Sequence, residues 1–262
     1  MRPLREADLS KVEAVFTDVD GTLTTKGKLT SATLRAIEWL NAVRVPVVLV
    51  SGRPSAWGEA WMRQWPVAGA IMENGALHYV WRGGKLEKNF DQDDAVRAVH
   101  RKRLLTLVEA AMKEVPGAKL SMDSAGTEVD VAIDYNEDVA LGAQAADALE
   151  AYLRKRGVTA VRSSVHVNCW LGEFDKLKAV KRFARAEWKK TVAKDDARYV
   201  YVGDSFNDAP MFRGFHLSVG VANVKDVLDT LTDLPKFVTR AREGKGFGEV
   251  ADAVVRARKK QR

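Results

Sequence analysis

The sequence predicts an α/β protein: a Rossmann-like core, with helices on both faces of a parallel sheet, and an inserted α+β unit. Short apolar segments rich in β-branched residues, such as 12–17 and 45–50, alternate with segments of helical periodicity, such as 30–43. The alternation stops in the middle of the chain and resumes near residue 176. Parallel strands need a crossover that is usually a helix, so this alternation is typical of a parallel sheet buried on both faces.

The first third of the chain contains three predicted strands and two predicted helices. Thr30 or Ser31 is a suitable cap for the helix at 30–43, and Pro54 suits the first turn of the next helix. Trp57, Trp61 and Trp65 recur every four residues in that helix, and this stripe favours core packing over a ligand platform. The predicted strands are 12–17, 45–50 and 68–72.

The last third repeats the order of strand and helix. Three glycines, Gly244, Gly246 and Gly248, weakly imitate a nucleotide-binding loop, but no buried strand precedes them, and we expect a flexible turn there. The predicted helices are 176–189, a helix starting at 208–212, 225–231 and 248–259, and the predicted strands are 198–202, 217–221 and 237–238.

The middle of the chain predicts a separate small domain. After a hairpin at 77–88, the order is helix, two strands, helix, two strands, which is typical of a largely antiparallel α+β sandwich. The helices are predicted at 91–114 and 137–156, and the strands at 118–122, 128–133, 158–162 and 165–170. We therefore expect a catalytic core of residues 1–82 and 171–262 and an inserted αββαββ cap domain of residues 83–170.

The composition indicates which kinds of molecule the protein could bind. The chain has 262 residues, a formal net charge of +7 and 46% hydrophobic residues. The charge favours anionic partners, which include phosphorylated metabolites and nucleic acid. The basic residues are scattered except in the tail that contains Arg256, Arg258, Lys259, Lys260 and Arg262, where a solvated helix end is the favoured interpretation. Nucleic acid is therefore the less favoured partner.

Cysteine content and hydropathy predict a cytoplasmic protein without a membrane segment. Cys169 is the single cysteine, which excludes an intramolecular disulfide, and its apolar strand pattern predicts burial rather than reactivity. The longest apolar run, 45–50, is far shorter than a bilayer span, and the charged N-terminus has no secretory pattern. The sequence does not determine the oligomeric state.

Four short polar segments stand at ends of core strands or at starts of core helices. They are 18–22, 51–53, 175–177 and 203–208. Ligands of open α/β sheets bind beyond the carboxyl ends of the strands, so we expect the four segments to converge on one crevice.

Four aspartates in these segments indicate a divalent cation. Asp18, Asp20, Asp204 and Asp208 would repel one another if they were close, and a cation would compensate their charge. Oxygen ligands without a His or Cys cluster favour Mg²⁺, which is usually held by one or two carboxylates and the substrate phosphate. Asp18 and Asp204 suit direct ligation, with the Asp20 carbonyl as a third candidate.

The other polar residues of these segments are suited to bind phosphate. Lys176 supplies a positive charge, Ser51 a hydroxyl, and Gly52 a close approach to backbone N–H groups, as do Gly21 and Thr22 after the first strand. A carboxylate beside such a cradle can attack phosphorus, while a second carboxylate protonates the leaving oxygen and later activates water. Taken alone, an Asp-Gly pair, a Ser or a Lys at these positions is usually a turn, a cap or a solvated residue.

The combination resembles the haloacid dehalogenase superfamily of phosphohydrolases. Residues 16–23 (FTDVDGTL) resemble its first motif, 50–54 (VSGRP) its second, Lys176 within 175–180 (DKLKAV) its third and 203–208 (GDSFND) its fourth. The first and fourth motifs, in order and in context, are highly specific. Leu177 stands where many relatives have glycine after the motif lysine, which keeps Lys178 as a second candidate for that role.

The resemblance implies a site and a mechanism. Asp18 is expected to be the nucleophile that forms an aspartyl-phosphate, and Asp20 the acid/base. Asp208 is expected to be an outer or occasional direct metal ligand. The implied catalytic residues are Asp18, Asp20, Ser51 and Lys176, the substrate-binding residues are Gly21, Thr22, Ser51, Gly52, Arg53, Lys176 and Asn207, and the Mg²⁺ ligands are Asp18, Asp20, Asp204 and Asp208.

The inserted unit is similar to the cap of subclass IIB, which includes Cof-type, sucrose-phosphate and trehalose-phosphate phosphatases. Residues 73–76 (ENGA) also resemble a loop of this subclass. His166 shares strand parity with Ser164 and Asn168, and this face could contact substrate, although a structural role is favoured. The predicted function is a Mg²⁺-dependent phosphomonoesterase acting on a small phosphorylated metabolite, with a sugar phosphate favoured. The alternatives are a phosphohexomutase and a basic nucleic-acid-binding module.

Overall fold

The computed structural model describes residues 1–163 and 165–260 and contains one large and one small principal sheet. Ser164 and Arg262, which entered the predictions above, lie outside the described residues. The strands are β1 (Arg2–Pro3), β2 (Ala14–Thr17), β3 (Thr24–Thr25), β4 (Lys28–Leu29), β5 (Val47–Val50), β6 (Gly69–Met72), β7 (Leu77–Arg82), β8 (Lys85–Phe90), β9 (Lys119–Leu120), β10 (Val131–Asp134), β11 (Thr159–Arg162), β12 (His166–Trp170), β13 (Tyr199–Gly203), β14 (Leu217–Gly220) and β15 (Phe237–Val238).

Seven α-helices connect and cover these strands in the described part of the chain. Thr30 caps the first helix, where its hydroxyl accepts a hydrogen bond from the backbone N–H of Thr33 at 3.2 Å. The helices are α1 (Ser31–Ala42), α2 (Ser55–Gln64), α3 (Asp94–Glu114), α4 (Gly142–Arg154), α5 (Lys176–Trp188), α6 (Ala209–Gly214) and α7 (Glu243–Lys259).

The large sheet has the strand order β1-β15-β14-β13-β2-β5-β6-β7-β8. The strands from β1 to β6 in this order run parallel, and β7 and β8 run antiparallel at one edge. Alternate side chains enter two apolar clusters: Val15 belongs to the cluster that contains α1 and α7 residues, and Phe16 to the cluster that contains α5 and α6 residues. The α/β class, with helices on both faces, is confirmed.

The small sheet has the antiparallel order β11-β12-β10-β9. Val167 and Cys169 point into a third apolar cluster with residues of α3 and α4. The other parity of β12, His166 and Asn168, therefore faces away from those helices. The predicted helix-strand-strand-helix-strand-strand order of the insertion is present in α3 to β12.

The hairpin of β7 and β8 belongs to the large sheet, because β7 pairs with β6. The predicted domain boundary at residue 83 falls within this hairpin, so β8 lies on the cap side of that boundary in sequence and on the large sheet in space. The division at residues 83 and 170 stays a prediction.

Three sequence predictions were wrong in detail. Helix α7 begins at Glu243, so Gly244 and Gly246 lie in its first turns and not in a flexible turn. A Cβ on Gly244 would lie 2.4 Å from Thr33 Oγ1, so this glycine allows α7 to pack closely on α1. The predicted helix at 225–231 is a 3₁₀ segment, Ala222–Thr230. In the tryptophan stripe, Trp61 is buried and stacks on Trp65, but Trp57 is 44% exposed.

Candidate active site

The four polar segments meet at one edge of the large sheet. Strands β2, β5 and β13 are neighbours and run parallel, so Asp18, Ser51 and Asp204 follow their carboxyl ends at the same edge. Lys176 begins α5, and the Asp175 side chain caps that helix by accepting from the backbone N–H of Lys178 at 2.7 Å. The predicted convergence is present in the structure.

Lys176 joins two aspartates in the buried part of this site. Its Nζ donates to Asp18 Oδ1 and to Asp208 Oδ1, each at 2.8 Å, and all three side chains are buried. Although burial lowers the pKa of Lys176, the two carboxylates raise it above its usual value, so the ammonium remains charged. Lys178, the second candidate, instead donates to the backbone carbonyl of Glu173 at 2.6 Å.

Asp208 is held by protein donors on both oxygens. Tyr201 Oη donates to Asp208 Oδ1 at 2.5 Å, and the backbone N–H groups of Asp204 and Ser205 donate to Oδ2 at 3.1 and 3.2 Å. A carboxylate with this many donors is fixed in position. Tyr201 was not predicted as a site residue, because an inward tyrosine of a buried strand looks like core packing in sequence.

Asp204 lies beside Asp208 and is held from the opposite side. Thr22 Oγ1 donates to Asp204 Oδ1 at 2.7 Å, and Asn223 Nδ2 donates to Oδ2 at 2.8 Å. Burial, with the charge of Asp208, raises the pKa of Asp204 to about 7. Sequence reasoning missed Asn223, whose only signal is its position just after β14, at the same edge of the sheet.

Asp18, Asp204 and Asp208 fit a divalent cation. Each offers one carboxylate oxygen, and the three oxygens lie within 4.8 Å of one another. Burial raises the pKa of Asp18; Lys176 opposes this rise, and Asp208 and Asp204 add to it. Three acids beside one lysine leave an excess of negative charge, which a hard cation would compensate. The donor set is therefore compatible with Mg²⁺.

The Asp20 carboxylate does not join the other three acids. It is bound by the Arg53 guanidinium, with Nε 2.9 Å from Asp20 Oδ2 and Nη2 3.2 Å from Oδ1. The structure thus brings three of the four predicted acidic side chains together, and the Asp20 side chain lies beside them on Arg53.

The remaining predicted residues surround the acids. Ser51 is buried, and its hydroxyl accepts from the backbone N–H of Arg53 at 3.0 Å. A Cβ on Gly52 would lie 2.9 Å from Asn74 Oδ1, so the glycine leaves room for the Asn74 side chain. Gly21 has a φ of +74° and its backbone passes beside Asp204. Asn207 Oδ1 accepts from Ser205 Oγ at 2.6 Å.

A cavity of about 420 Å³ opens above these residues. The large sheet contributes Asp18, Asp20, Arg53 and Asp204, and the small sheet contributes Ser163, Val165, His166 and Asn168. His166 Nε2 lies 2.7 Å from Glu137 Oε2. A groove of about 740 Å³ between the N-terminal segment and α7 shares none of these residues. The cavity over the acids has the size of a small-metabolite site.

Comparison with known sequences finds a family model that matches part of this chain and two relatives that match it over nearly their whole length. A model of the haloacid dehalogenase-like hydrolases matches residues 15–105. A phosphoglycolate phosphatase of Archaeoglobus fulgidus is 27% identical over 242 residues, which cover 91% of this chain and 95% of the relative. A phosphoglycolate phosphatase of Methanothrix thermoacetophila is 25% identical, with coverage of 92% and 96%.

Solved structures share the fold over nearly the full chain. Thermoplasma acidophilum protein 0175 has a TM-score of 0.71 at 18% identity, with coverage of 93% and 98%. The sucrose-phosphatase of a Synechocystis species has a TM-score of 0.68 at 15% identity, with coverage of 97% and 98%. A sugar phosphatase of subclass IIB has a TM-score of 0.63 at 16% identity, with coverage of 95% and 98%. Among the described residues, no helix has the length and apolar character to cross a membrane.

The order of the motifs, the matched family model, the full-length relatives and the shared fold agree with one another. The chain is similar to the haloacid dehalogenase-like hydrolases over residues 15–105 and to two phosphoglycolate phosphatases over most of its length, and it shares the fold of the solved structures; these likenesses support a phosphatase.

Proposed function

We propose that the chain is a Mg²⁺-dependent phosphomonoesterase in which Asp18 accepts the phosphoryl group. The observation that carries this proposal is the buried pairing of Lys176 with Asp18 and Asp208 beside Asp204. Three acids beside one lysine leave an excess of negative charge, which is costly in a buried site unless a cation or a ligand balances it. Such an excess of buried negative charge destabilises the fold, and it therefore indicates a catalytic or ligand-binding role.

Asp18 has the position of a nucleophile. It follows β2 directly, lines the cavity, and is oriented by Lys176 through its Oδ1 atom. In the first half-reaction a carboxylate oxygen of Asp18 bonds to phosphorus while the bond from phosphorus to the leaving oxygen breaks. The ammonium of Lys176 compensates the negative charge on the transferred group, and the hydroxyl of Ser51 and nearby backbone N–H groups are donors to its oxygens.

Asp20 is proposed as the acid/base. It lines the same cavity two residues after Asp18, and 44% of its side chain is exposed to the cavity and solvent. Asp20 gives a proton to the leaving oxygen in the first half-reaction. In the second, it takes a proton from the water that attacks the aspartyl-phosphate, which restores both carboxylates.

Asp18 and Asp204 would hold the Mg²⁺, with the Asp20 carbonyl and Asp208 as further candidates. Asp208 is already saturated by Lys176, Tyr201 and two backbone N–H groups, so it suits an outer position. When bound, Mg²⁺ supplies charge compensation for the phosphoryl oxygens.

The proposed substrate is a small phosphorylated metabolite. A sugar phosphate was favoured by the sequence, and the sucrose-phosphatase and the subclass IIB sugar phosphatase share the fold. Phosphoglycolate is a second candidate, because both phosphoglycolate phosphatases match more than nine-tenths of this chain. We further propose that residues 83–170 act as a cap that excludes water from the cavity, and that the enzyme acts in the cytoplasm.

A phosphate-release screen tests this function. The purified chain is assayed with sugar phosphates, phosphoglycolate and nucleotides, with Mg²⁺ and with EDTA, and the organic product is identified to separate hydrolysis from phosphoryl transfer to a second hydroxyl. We expect release that EDTA abolishes and that Asp18→Asn lowers by about four orders of magnitude. Circular dichroism confirms that the variant is folded. Full activity in Asp18→Asn would show that another group is the nucleophile.

A further inference from the structure

Arg53 connects the proposed acid/base to the inserted part of the chain. Its guanidinium binds both oxygens of Asp20, and its Nη1 lies 3.5 Å from Asp123 Oδ2. Asp123 precedes β10 in the segment 121–130, which belongs to the predicted cap. Trp57 Nε1 donates to the same Asp123 oxygen at 2.9 Å, and the Arg53 guanidinium lies 5.8 Å from the Trp57 ring centroid. These contacts place Arg53 between Asp20 and Asp123.

The segment 121–130 is anchored to the large-sheet part by a buried carboxylate. Glu73, in the turn after β6, accepts from the backbone N–H groups of Glu128, Val129 and Asp130 at 2.7 to 3.0 Å. The same side chain accepts from the N–H of Ser55, at the start of α2, at 2.9 Å. Four N–H donors on one buried carboxylate fix the segment relative to α2 and therefore relative to Arg53.

We propose that Arg53 is a positioning residue for Asp20 and that Asp123 positions Arg53, so that alignment of the acid/base depends on the docking of the segment 121–130. The inference rests on the proposed function, since it concerns the Asp20 step of that reaction. It adds a connection from the inserted part to the proton transfer, through contacts that involve neither phosphate nor metal.

The two bonds between Arg53 and Asp20 are unequal. Nε is 2.9 Å from Oδ2, and Nη2 is 3.2 Å from Oδ1. We assign the proton-transfer role to Oδ1, while Oδ2 stays bound to Arg53. The proton goes from Oδ1 to the leaving oxygen in the first half-reaction and is replaced from water in the second. Because Asp20 is partly exposed, loss of the guanidinium fork leaves its carboxylate free to rotate.

Substrates whose leaving groups differ in their need for a proton distinguish a positioning role of Arg53 from a general structural role. An alkyl phosphate, such as phosphoglycolate or a sugar phosphate, needs protonation of its leaving oxygen, whereas para-nitrophenyl phosphate leaves as a stable anion. The ratio kcat/KM reports the steps up to formation of the phosphoenzyme. A misplaced acid lowers kcat/KM for the alkyl ester more than for the aryl ester. A disturbed phosphate site or a loosened fold lowers both equally.

The experiment measures kcat/KM with Mg²⁺ for para-nitrophenyl phosphate and the best alkyl phosphate. Arg53→Lys keeps the charge and removes the planar fork. Asp123→Asn keeps an acceptor for Trp57 and removes the charge. We expect Arg53→Lys to lower the alkyl value about tenfold. Asp123→Asn should lower it about two- to fivefold, as for a partly exposed ion pair. The aryl value should fall clearly less than the alkyl value in Arg53→Lys, and it should change by less than about twofold in Asp123→Asn.

The matched control is Asp233→Asn, which removes a carboxylate from the partly exposed pair with Arg213 outside the cavity. It should change neither ester. If Arg53→Lys and Asp123→Asn each lowered kcat/KM equally for both esters, or if neither variant lowered it for any ester, the inference would be overturned. The proposed function would still stand in that case, provided that the wild-type protein is active. A wild-type protein that releases phosphate from neither ester would overturn both.

Discussion

The two ends of the cavity differ in how their polar side chains are held. At the large-sheet end, Asp18, Lys176 and Asp208 bind one another at 2.8 Å, and Tyr201 and two backbone N–H groups complete the network. At the small-sheet end, Asn168 is 7% exposed and lines the cavity, and its backbone pairs with the neighbouring strands while its side-chain amide has no partner among the hydrogen bonds of the described residues. Both ends are buried, but only at the large-sheet end do the acids and the lysine bind one another in a continuous hydrogen-bond network.

This difference indicates that the large-sheet end carries out the reaction and that the small-sheet end binds the substrate. A side chain that protein donors hold in one position can be aligned before substrate arrives, which is what a nucleophile and its lysine require. A buried amide without a protein donor or acceptor has hydrogen-bonding capacity left for a ligand, because leaving it unpaired costs free energy. We therefore expect changes at the first end to abolish turnover and changes at the second end to alter affinity.

Lys176→Met is expected to have the largest effect. It leaves two buried carboxylates without their cation, which costs about 3–5 kcal/mol in unfolding free energy. We expect phosphate release to fall by about three orders of magnitude or more, since the nucleophile also loses its orientation. Urea unfolding and phosphate release measure the two effects.

The matched control is Lys178→Met, two residues along the same helix. Its ammonium binds the Glu173 carbonyl at the surface, so both stability and turnover should stay near wild-type values. A strong loss in Lys178→Met, together with an active Lys176→Met, would transfer the phosphate-binding role to Lys178.

Tyr201→Phe tests whether this hydrogen-bond network needs each of its donors. Removing the hydroxyl deletes the 2.5 Å bond to the charged Asp208, and we expect a loss of about 1.5–3 kcal/mol in unfolding free energy with a lower kcat. Tyr199→Phe, on the same strand, is the control, because the buried Tyr199 hydroxyl has no hydrogen-bond partner among the described residues. Equal losses in the two variants would contradict a special role for Asp208.

The raised pKa of Asp204 predicts that Mg²⁺ affinity depends on pH. In the metal-free protein this carboxylate titrates near pH 7, well above its usual value, so it is largely protonated at lower pH. Its contribution to the stability of the metal-free protein is thus present at low pH and is lost as pH rises through about 7. Mg²⁺ must displace the proton, and its affinity should fall by up to about tenfold per pH unit below 7. Calorimetric titration in buffers of different ionisation enthalpy would detect proton release, and a pH-independent affinity would contradict the assignment.

Asn168→Ala should have the smallest effect and should act on binding. We expect KM for the preferred substrate to rise about two- to tenfold, the value of one hydrogen bond, with kcat and thermal stability nearly unchanged. Asn136→Ala, an exposed asparagine of the same part of the chain, is the control. A fall in kcat without a change in KM would place Asn168 with the reacting groups instead.

Most of the fold could be predicted from periodicity. The β-branched runs before Asp18 and Ser51 predicted the strands that place these residues at one sheet edge, because the right-handed crossover leaves few other arrangements. The start of α7 could not be predicted, since Gly244 and Gly246 disfavour a helix by propensity. Packing against Thr33 and Leu23 decided that helix, because only a residue without Cβ fits there.

The sequence by itself determined the class of the fold, the motif aspartates and lysine and their convergence on one edge. These features depend on local patterns and on strand order, which the chain encodes over short distances. Only the tertiary structure decided that Tyr201 and Asn223 hold the acids, that Arg53 binds Asp20 and Asp123, and that Asn168 faces the cavity. Such contacts join residues far apart in the chain, and their geometry depends on how two sheets pack, which no short stretch of sequence specifies.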